Sequence, residues 1–168
     1  MNAEASAAPV EVSLRINGEQ RTGEVEPRLL LVDFIREVAG LTGTHVGCDS
    51  TNCGACTVIV GDRSVKSCTM FAVQAEGREV RTVESLADGE EFGSLQRSFH
   101  DEMALQCGYC TPGMLMSATH LLELNPSPNR EEIKRGIAGN LCRCTGYRSI
   151  IDAIVAAAEG NNTQEGTR

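Results

Sequence analysis

The sequence predicts an α+β chain in two parts, a mixed sheet-and-helix half to about residue 85 and an all-α half from 86 to 168. Three observations carry this. Apolar residues alternate with polar ones where the chain begins to show a pattern, as a half-buried strand requires. Beyond about Ser85 the apolar spacing becomes helical. Finally, eight cysteines fall into two groups of four, one in each half. Domains of this size bury a low fraction of their surface, so each half needs a staple such as a metal, disulfides or a partner surface.

Element by element, Val10, Val12, Leu14 and Ile16 form the apolar face of a first strand, and Asn17-Gly18 follows at once. Asn-Gly supplies the positive φ angles of a type I′ hairpin turn, so a return strand over Gln20–Val25 is expected. Pro27 opens a segment with Leu30, Leu31, Phe34, Ile35 and Val38 at helical spacing, which Gly40 closes. Thr57–Val60 and Ser64–Lys66 flank a Gly61-Asp62 turn, and Val80–Val83 supplies a further short strand. The second half starts with Leu95, Phe99 and Met103 on one helical face. Pro112 fits the first turn of the next helix, which carries Met114, Leu115, Ala118, Leu121 and Leu122 and stops before Asn125-Pro126. Ser127-Pro128 reads as N-cap and first residue of a third helix, with Glu131 and Glu132 near its positive end. The last helix spans about Ser149 to Glu159, and four short helices imply a bundle.

Fifteen basic against twenty-three acidic residues give a net charge of −8 with no Lys/Arg-rich run, which argues against a nucleic-acid partner. No apolar stretch approaches the roughly 20 residues of a membrane span, and Met1 to Val10 lacks a basic start followed by an apolar core, so a cytoplasmic protein is expected. A reducing cytosol favours metal ligation over four disulfides. Residues 1–9 and 160–168 are polar or small and read as flexible arms that order against a partner. The sequon Asn161-Asn162-Thr163 is then a chance match.

The first cysteine group is Cys48, Cys53 and Cys56 in a C-x4-C-x2-C run, with Cys68 after eleven intervening residues. That is the spacing of plant-type [2Fe-2S] ferredoxins. A rhombic cluster needs two thiolates on each iron and backbone amides aimed at sulfur, and Gly47 and Gly54 allow the loop to fold its amides inward. Zinc sites favour short paired spacings, which this group does not show. The second group, Cys107-Gly108-Tyr109-Cys110 with Cys142-Arg143-Cys144, is compatible with either a [2Fe-2S] cluster or a four-thiolate zinc, because both metals accept that geometry. Helix N-termini after Cys110 and Cys144 would place positive dipole ends beside an anionic centre.

Four motifs in order resemble the xanthine dehydrogenase family of molybdenum hydroxylases: Gly47 to Thr57, Lys66-Ser67-Cys68, Gln106 to Met114, and Gly139 to Tyr147. The likeness covers about Val10 to Ala158. Val65 to Ala75 is similar to the small subunit of aerobic carbon monoxide dehydrogenase, and small subunits of quinoline and isoquinoline oxidoreductases are similar too. The resemblance implies a β-grasp, plant-type ferredoxin-like domain over 1–85 and a four-helix-bundle domain over 86–168, each with one [2Fe-2S] cluster. It implies Cys48, Cys53, Cys56 and Cys68 as ligands of a cluster nearer FAD, and Cys107, Cys110, Cys142 and Cys144 as ligands of one nearer molybdenum. Gln106 and Cys144 would lie against the molybdopterin cofactor. The molybdenum would sit on a large subunit and the FAD on a medium subunit, in a dimer of heterotrimers, and the clusters would relay single electrons between them. Carbon monoxide, an N-heteroaromatic ring such as quinoline and an aldehyde all stay open as substrates. A freestanding ferredoxin and a zinc-binding interaction module are the alternatives from other classes.

Other residues offer little chemistry. His45, His100 and His120 read as surface or capping histidines, His45 alone lying close to a cluster loop. Tyr109 and Tyr147 adjoin the loops and either pack over them or touch a partner, and Arg143 either neutralises cluster charge or pairs with a neighbouring subunit. Met114, Leu115 and Met116 read as helix core. No G-x-G-x-x-G or P-loop occurs, so FAD is not expected on this chain.

Overall fold

The computed structural model describes residues 8–165 apart from 88 and 90. Strand β1 (Val10–Ile16) turns into β2 (Glu19–Val25) through Asn17 and Gly18, at φ 53° and 82°, the signature of a type I′ turn. β1 pairs antiparallel with β2 from Val10 opposite Val25 to Ile16 opposite Glu19. Strands β3 (Thr57–Val60) and β4 (Arg63–Lys66) form the second hairpin, and β5 (Glu79–Arg81) lies between the hairpins, parallel to β1 and antiparallel to β3. The sheet order is β2-β1-β5-β3-β4.

Val12, Leu14 and Ile16 bury the even face of β1 against Phe34, Ile35, Val58, Val60 and Val80. Each such side chain contributes about 1.5–3 kcal/mol by leaving water. The helical segment expected after Pro27 starts as α1 (Leu31–Asp33) and widens into a π-type turn over Phe34–Val38, where the Ala39 amide reaches back to the Phe34 carbonyl at 2.9 Å. Gly40 closes it at φ 72°. β5 ends at Arg81 rather than Val83, because Val83–Leu86 winds into a 3-10 turn closed by Ser85 on Thr82.

The second core gathers α2 (Ser94–Asp101), α3 (Thr111–Leu124), α4 (Arg130–Gly136) and α5 (Arg148–Glu165) around Phe99, Met114, Ile133, Ile150 and Ile154. Met103 departs from expectation, being 79 % exposed at φ 50°. The chain leaves α2 in a Schellman-type end, with the amide of Ala104 on the Phe99 carbonyl and that of Met103 on His100, so Ala104 takes the inward place. The N-cap of α4 is Asn129 rather than Ser127. Its side chain accepts from the amides of Glu131 and Glu132 at 3.0 Å while Glu132 accepts from the Asn129 amide at 2.7 Å. Ser127 has Arg130 three residues on and could not complete this capping box. α5 continues to Glu165, past the expected start of the tail at 160; residues 1–7 and 166–168 lie outside the described residues. No described helix is long and apolar enough to cross a membrane.

The two cores meet where α3 packs across β3, whose four residues are all buried. Gly113 makes that approach possible, since a Cβ there would stand 2.2 Å from the Gly54 carbonyl oxygen. Arg81 on β5 adds a bidentate pair with Glu123 on α3, at 2.6 and 2.7 Å.

Candidate metal centres

The hairpin β3–β4 brings the first group together. Pairing of Thr57 with Lys66 sets Cys56 beside Ser67, whose amide and hydroxyl both donate to the Cys56 carbonyl, at 3.2 and 2.7 Å. Cys68 therefore arrives next to Cys56, and both are buried. On the other side of the loop the Cys53 amide points at the Cys48 sulfur, 3.3 Å away. Thr51 and Gly54, at φ 61° and 75°, turn the loop inward. Amides of Ser50 and Cys53 hold the Cys48 thiol down to about 6. Burial pushes Cys68 up to about 11, helped by the Cys56 thiol beside it.

The second group is assembled from two connections of the helical half. Cys110 caps the N-terminus of α3, as expected, whereas α5 begins at Arg148, four residues beyond Cys144. Cys107 meets Cys144, and Cys110 meets Cys142, within hydrogen-bonding reach. Burial pushes Cys110 up to about 12, with the Cys142 thiol adding to it. Burial also raises Cys142, but the Thr145 hydroxyl, 3.1 Å from its sulfur, and the amides of Thr145 and Cys144 outweigh it and leave the thiol lowered. Contact with Cys107 raises Cys144. Tyr147, at φ 68°, fixes this loop by accepting from the Cys142 amide through its hydroxyl at 2.9 Å.

All eight thiols thus meet two by two: Cys48 with Cys53, Cys56 with Cys68, Cys107 with Cys144, and Cys110 with Cys142. Among the described residues, no three His, Cys, Asp or Glu side chains close on a single point, as one tetrahedral ion would require. A [2Fe-2S] rhomb takes two thiolates on each of its two irons. The donor set and its pairing fit that group in both halves.

Between the two loops lies a polar seam that sequence reasoning did not single out. Asn140, 2 % exposed, donates to the Gly54 carbonyl at 2.9 Å and to the Thr57 hydroxyl at 3.2 Å, and accepts from Ser117 at 2.7 Å and Lys66 at 3.4 Å. The Leu141 amide donates to the Cys53 carbonyl at 2.8 Å, joining a residue of one loop to the neighbour of Cys142 in the other. His45 and Tyr109 clasp the same seam: the rings stack 4.8 Å apart, His45 Nδ1 lies 2.9 Å from the Tyr109 carbonyl, and the Tyr109 hydroxyl donates to the Val46 carbonyl. His45 is thus a capping residue between the halves. Gln106 is exposed beside exposed Cys107, and Arg143 is exposed between its two cysteines. Met114, Leu115 and Met116 are core. The only local signal for Asn140, Thr145 and Lys66 was their place within the cysteine motifs.

The comparisons agree with this chemistry. Residues 14–87 match the family described as 2Fe-2S iron-sulfur cluster binding domain, and residues 82–155 match the [2Fe-2S] binding domain family. The chain is 49 % identical to the nicotine 6-hydroxylase small subunit of Paenarthrobacter nicotinovorans, over 88 % of this chain and 89 % of that one. It is 49 % identical to caffeine dehydrogenase subunit gamma of Pseudomonas sp. (strain CBB1), over 85 % and 87 %. A chain of the crystal structure of quinoline 2-oxidoreductase from Pseudomonas putida 86 superposes with a TM-score of 0.89 at 48 % identity, over 95 % of this chain and 99 % of that one. With the second match, the zinc reading that spacing left open for the helical half gives way to iron and sulfur. The chain belongs to the family of small [2Fe-2S] iron–sulfur subunits of the xanthine dehydrogenase, or molybdenum hydroxylase, enzymes, and is an electron-transfer component of an oxidoreductase.

Proposed function

We propose that this chain carries two [2Fe-2S] clusters and relays single electrons from molybdenum, held by molybdopterin on a large subunit, to FAD on a medium subunit of a cytoplasmic dimer of heterotrimers. Cys48 and Cys53 would hold one iron of the FAD-side cluster, and Cys56 and Cys68 the other. Cys107 with Cys144 and Cys110 with Cys142 would do the same for the molybdenum-side cluster. The clusters supply one-electron capacity; the chain supplies spacing, burial and hydrogen bonds to sulfur, which set potential. In this reading residues 1–85 form a β-grasp domain and residues 86–168 a four-helix bundle.

The pairwise meeting of all eight thiols carries the proposal. Exposure of Gln106, Cys107 and Cys144, with Cys107 meeting Cys144, supports contact of Gln106 and Cys144 with molybdopterin. For the substrate, an N-heteroaromatic ring is favoured over carbon monoxide, since relatives at 48–49 % identity are named for nicotine, caffeine and quinoline.

The test is Cys144→Ser in the assembled enzyme, read by electron paramagnetic resonance. The molybdenum-side signal is expected to be lost or altered and reoxidation of molybdenum slowed, with the other cluster's signal intact. Loss of the other signal instead would reverse the assignment of the halves. A wild-type complex with a single cluster signal would end the two-cluster reading.

A further inference from the structure

Lys66 is a half-buried ammonium at the end of β4, tethered by hydrogen bonds to the Thr57 hydroxyl at 2.8 Å and the Asn140 side-chain oxygen at 3.4 Å. No carboxylate pairs with it among the described residues. Charges withdrawn from water are paired in folded proteins, so an ammonium held by two neutral oxygens points to an anion nearby. The groups that interact with it electrostatically are Cys56, Cys53 and Cys68, three of the four thiols of the first group. Its neighbours across the seam, Gly139 and Asn140, come from the connection that precedes Cys142.

We infer that Lys66 is the fixed counter-charge of the FAD-side cluster, a positioning residue that favours the electron on the Cys48 set and so gives the relay its direction. This rests on the cluster assignment proposed above. In the step concerned, one ferrous iron of the Cys107 set becomes ferric and one ferric iron of the Cys48 set becomes ferrous. One electron moves, no bond is made or broken, and no proton is transferred. The Cys48 set gains one negative charge beside an ammonium that is already in place, where in water solvent would have to reorganise. Thr57 and Asn140 keep the ammonium from turning outward. Among the described residues no cation is tethered beside the thiols of the second group, where Arg143 is exposed between Cys142 and Cys144, so the bias falls on one side.

The experiment is a redox titration of both clusters in the intact enzyme, followed by electron paramagnetic resonance, for Lys66→Gln and Lys66→Met. Lys66→Gln retains a donor for the tether, and Lys66→Met retains only the aliphatic stem. In both variants the reduction equilibrium of the Cys48-set cluster is expected to fall about tenfold, ~59 mV for a one-electron couple. The other cluster should change less than about twofold, and Lys66→Arg should restore the wild-type value. Neutral variants that leave the Cys48-set equilibrium within about twofold, or that move both clusters equally, would overturn the inference and leave Lys66 a purely structural tether. Absence of two distinct cluster signals in the wild-type enzyme would instead sink the cluster assignment itself.

Discussion

Truncating Asn140 to alanine tests whether the two cluster loops are held together by this one side chain. The amide makes four contacts, to Gly54, Thr57, Ser117 and Lys66, at a site 2 % exposed. The Gly54 carbonyl keeps other donors, the amide and hydroxyl of Thr57, so it loses little. The Ser117 hydroxyl, 5 % exposed, loses its acceptor at 2.7 Å. A neutral bond is worth about 1 kcal/mol net, and a buried donor left unpaired costs about 1–3 kcal/mol. Counting the 2.9 Å bond in full, the two long contacts little, and an orphaned Ser117, the change costs about 3 kcal/mol. For a chain of this length each kcal/mol lowers the melting midpoint by about 2–4 °C, so a drop of about 6–12 °C is expected. The readout is loss of the visible cluster absorption on heating the assembled enzyme. Ser117→Ala, which removes one bond and leaves no orphaned donor, should cost only about 1 kcal/mol. An Asn140→Ala drop below about 2 °C, or one equal to that of Ser117→Ala, would show that the seam does not depend on this amide.

The other predictions concern local features. In the chain stripped of iron, iodoacetamide at pH 7 should modify Cys48 first, because its thiol is lowered to about 6 and is already ionised. That reaction should fade as pH falls through 6, while Cys68 and Cys110, raised to about 11 and 12, should react slowly until the solution is strongly alkaline; equal rates at pH 7, measured by peptide mass mapping, would contradict this. Because those two thiols are raised on folding, the stability they lend the stripped chain is whole below pH 9 and lost as pH climbs through 11 and 12. Asn129→Ala should cost about 1 kcal/mol, as a comparison of its melting midpoint with that of the wild type would show.

Features governed by neighbours in sequence were legible before the structure. The β1–β2 hairpin follows from Asn17-Gly18 and a period of two, and α3 from Pro112 and its apolar face. Local rules failed where two signals competed. Ser127-Pro128 and Asn129 both resemble helix starts, and Glu132 decides between them by reaching back to the Asn129 amide. Met103 continues the spacing of Leu95 and Phe99, but the helix ends two residues before it. Both cysteine groups were legible from spacing, yet which sulfur meets which depends on the hairpin and on two distant connections. The seam was illegible for the same reason. Asn140 and Gly54 are 86 positions apart, and no period or cap links residues at that distance.

The halves differ in how they treat their sulfur. In the first, Cys56 and Cys68 are buried and pack with Val32 of α1 and with Leu30 before it, so one face of the site is covered by this chain alone. In the second, Cys107 and Cys144 are exposed, and around them Tyr109 and Leu141 present apolar surface that is 50 % and 57 % exposed. Hydration of an iron–sulfur centre is one of the levers on its potential, so a site open on one side has a potential that depends on what covers it. An apolar rim round an open pair of thiols is suited to a protein surface rather than to water. On the proposed relay the two sites are unequal: the potential of the first would depend more on this chain, and that of the second more on the surface that covers Cys144. An isolated chain should then show the Cys107-set cluster displaced further from its assembled potential than the Cys48-set cluster, and equal displacement of both would refute this division.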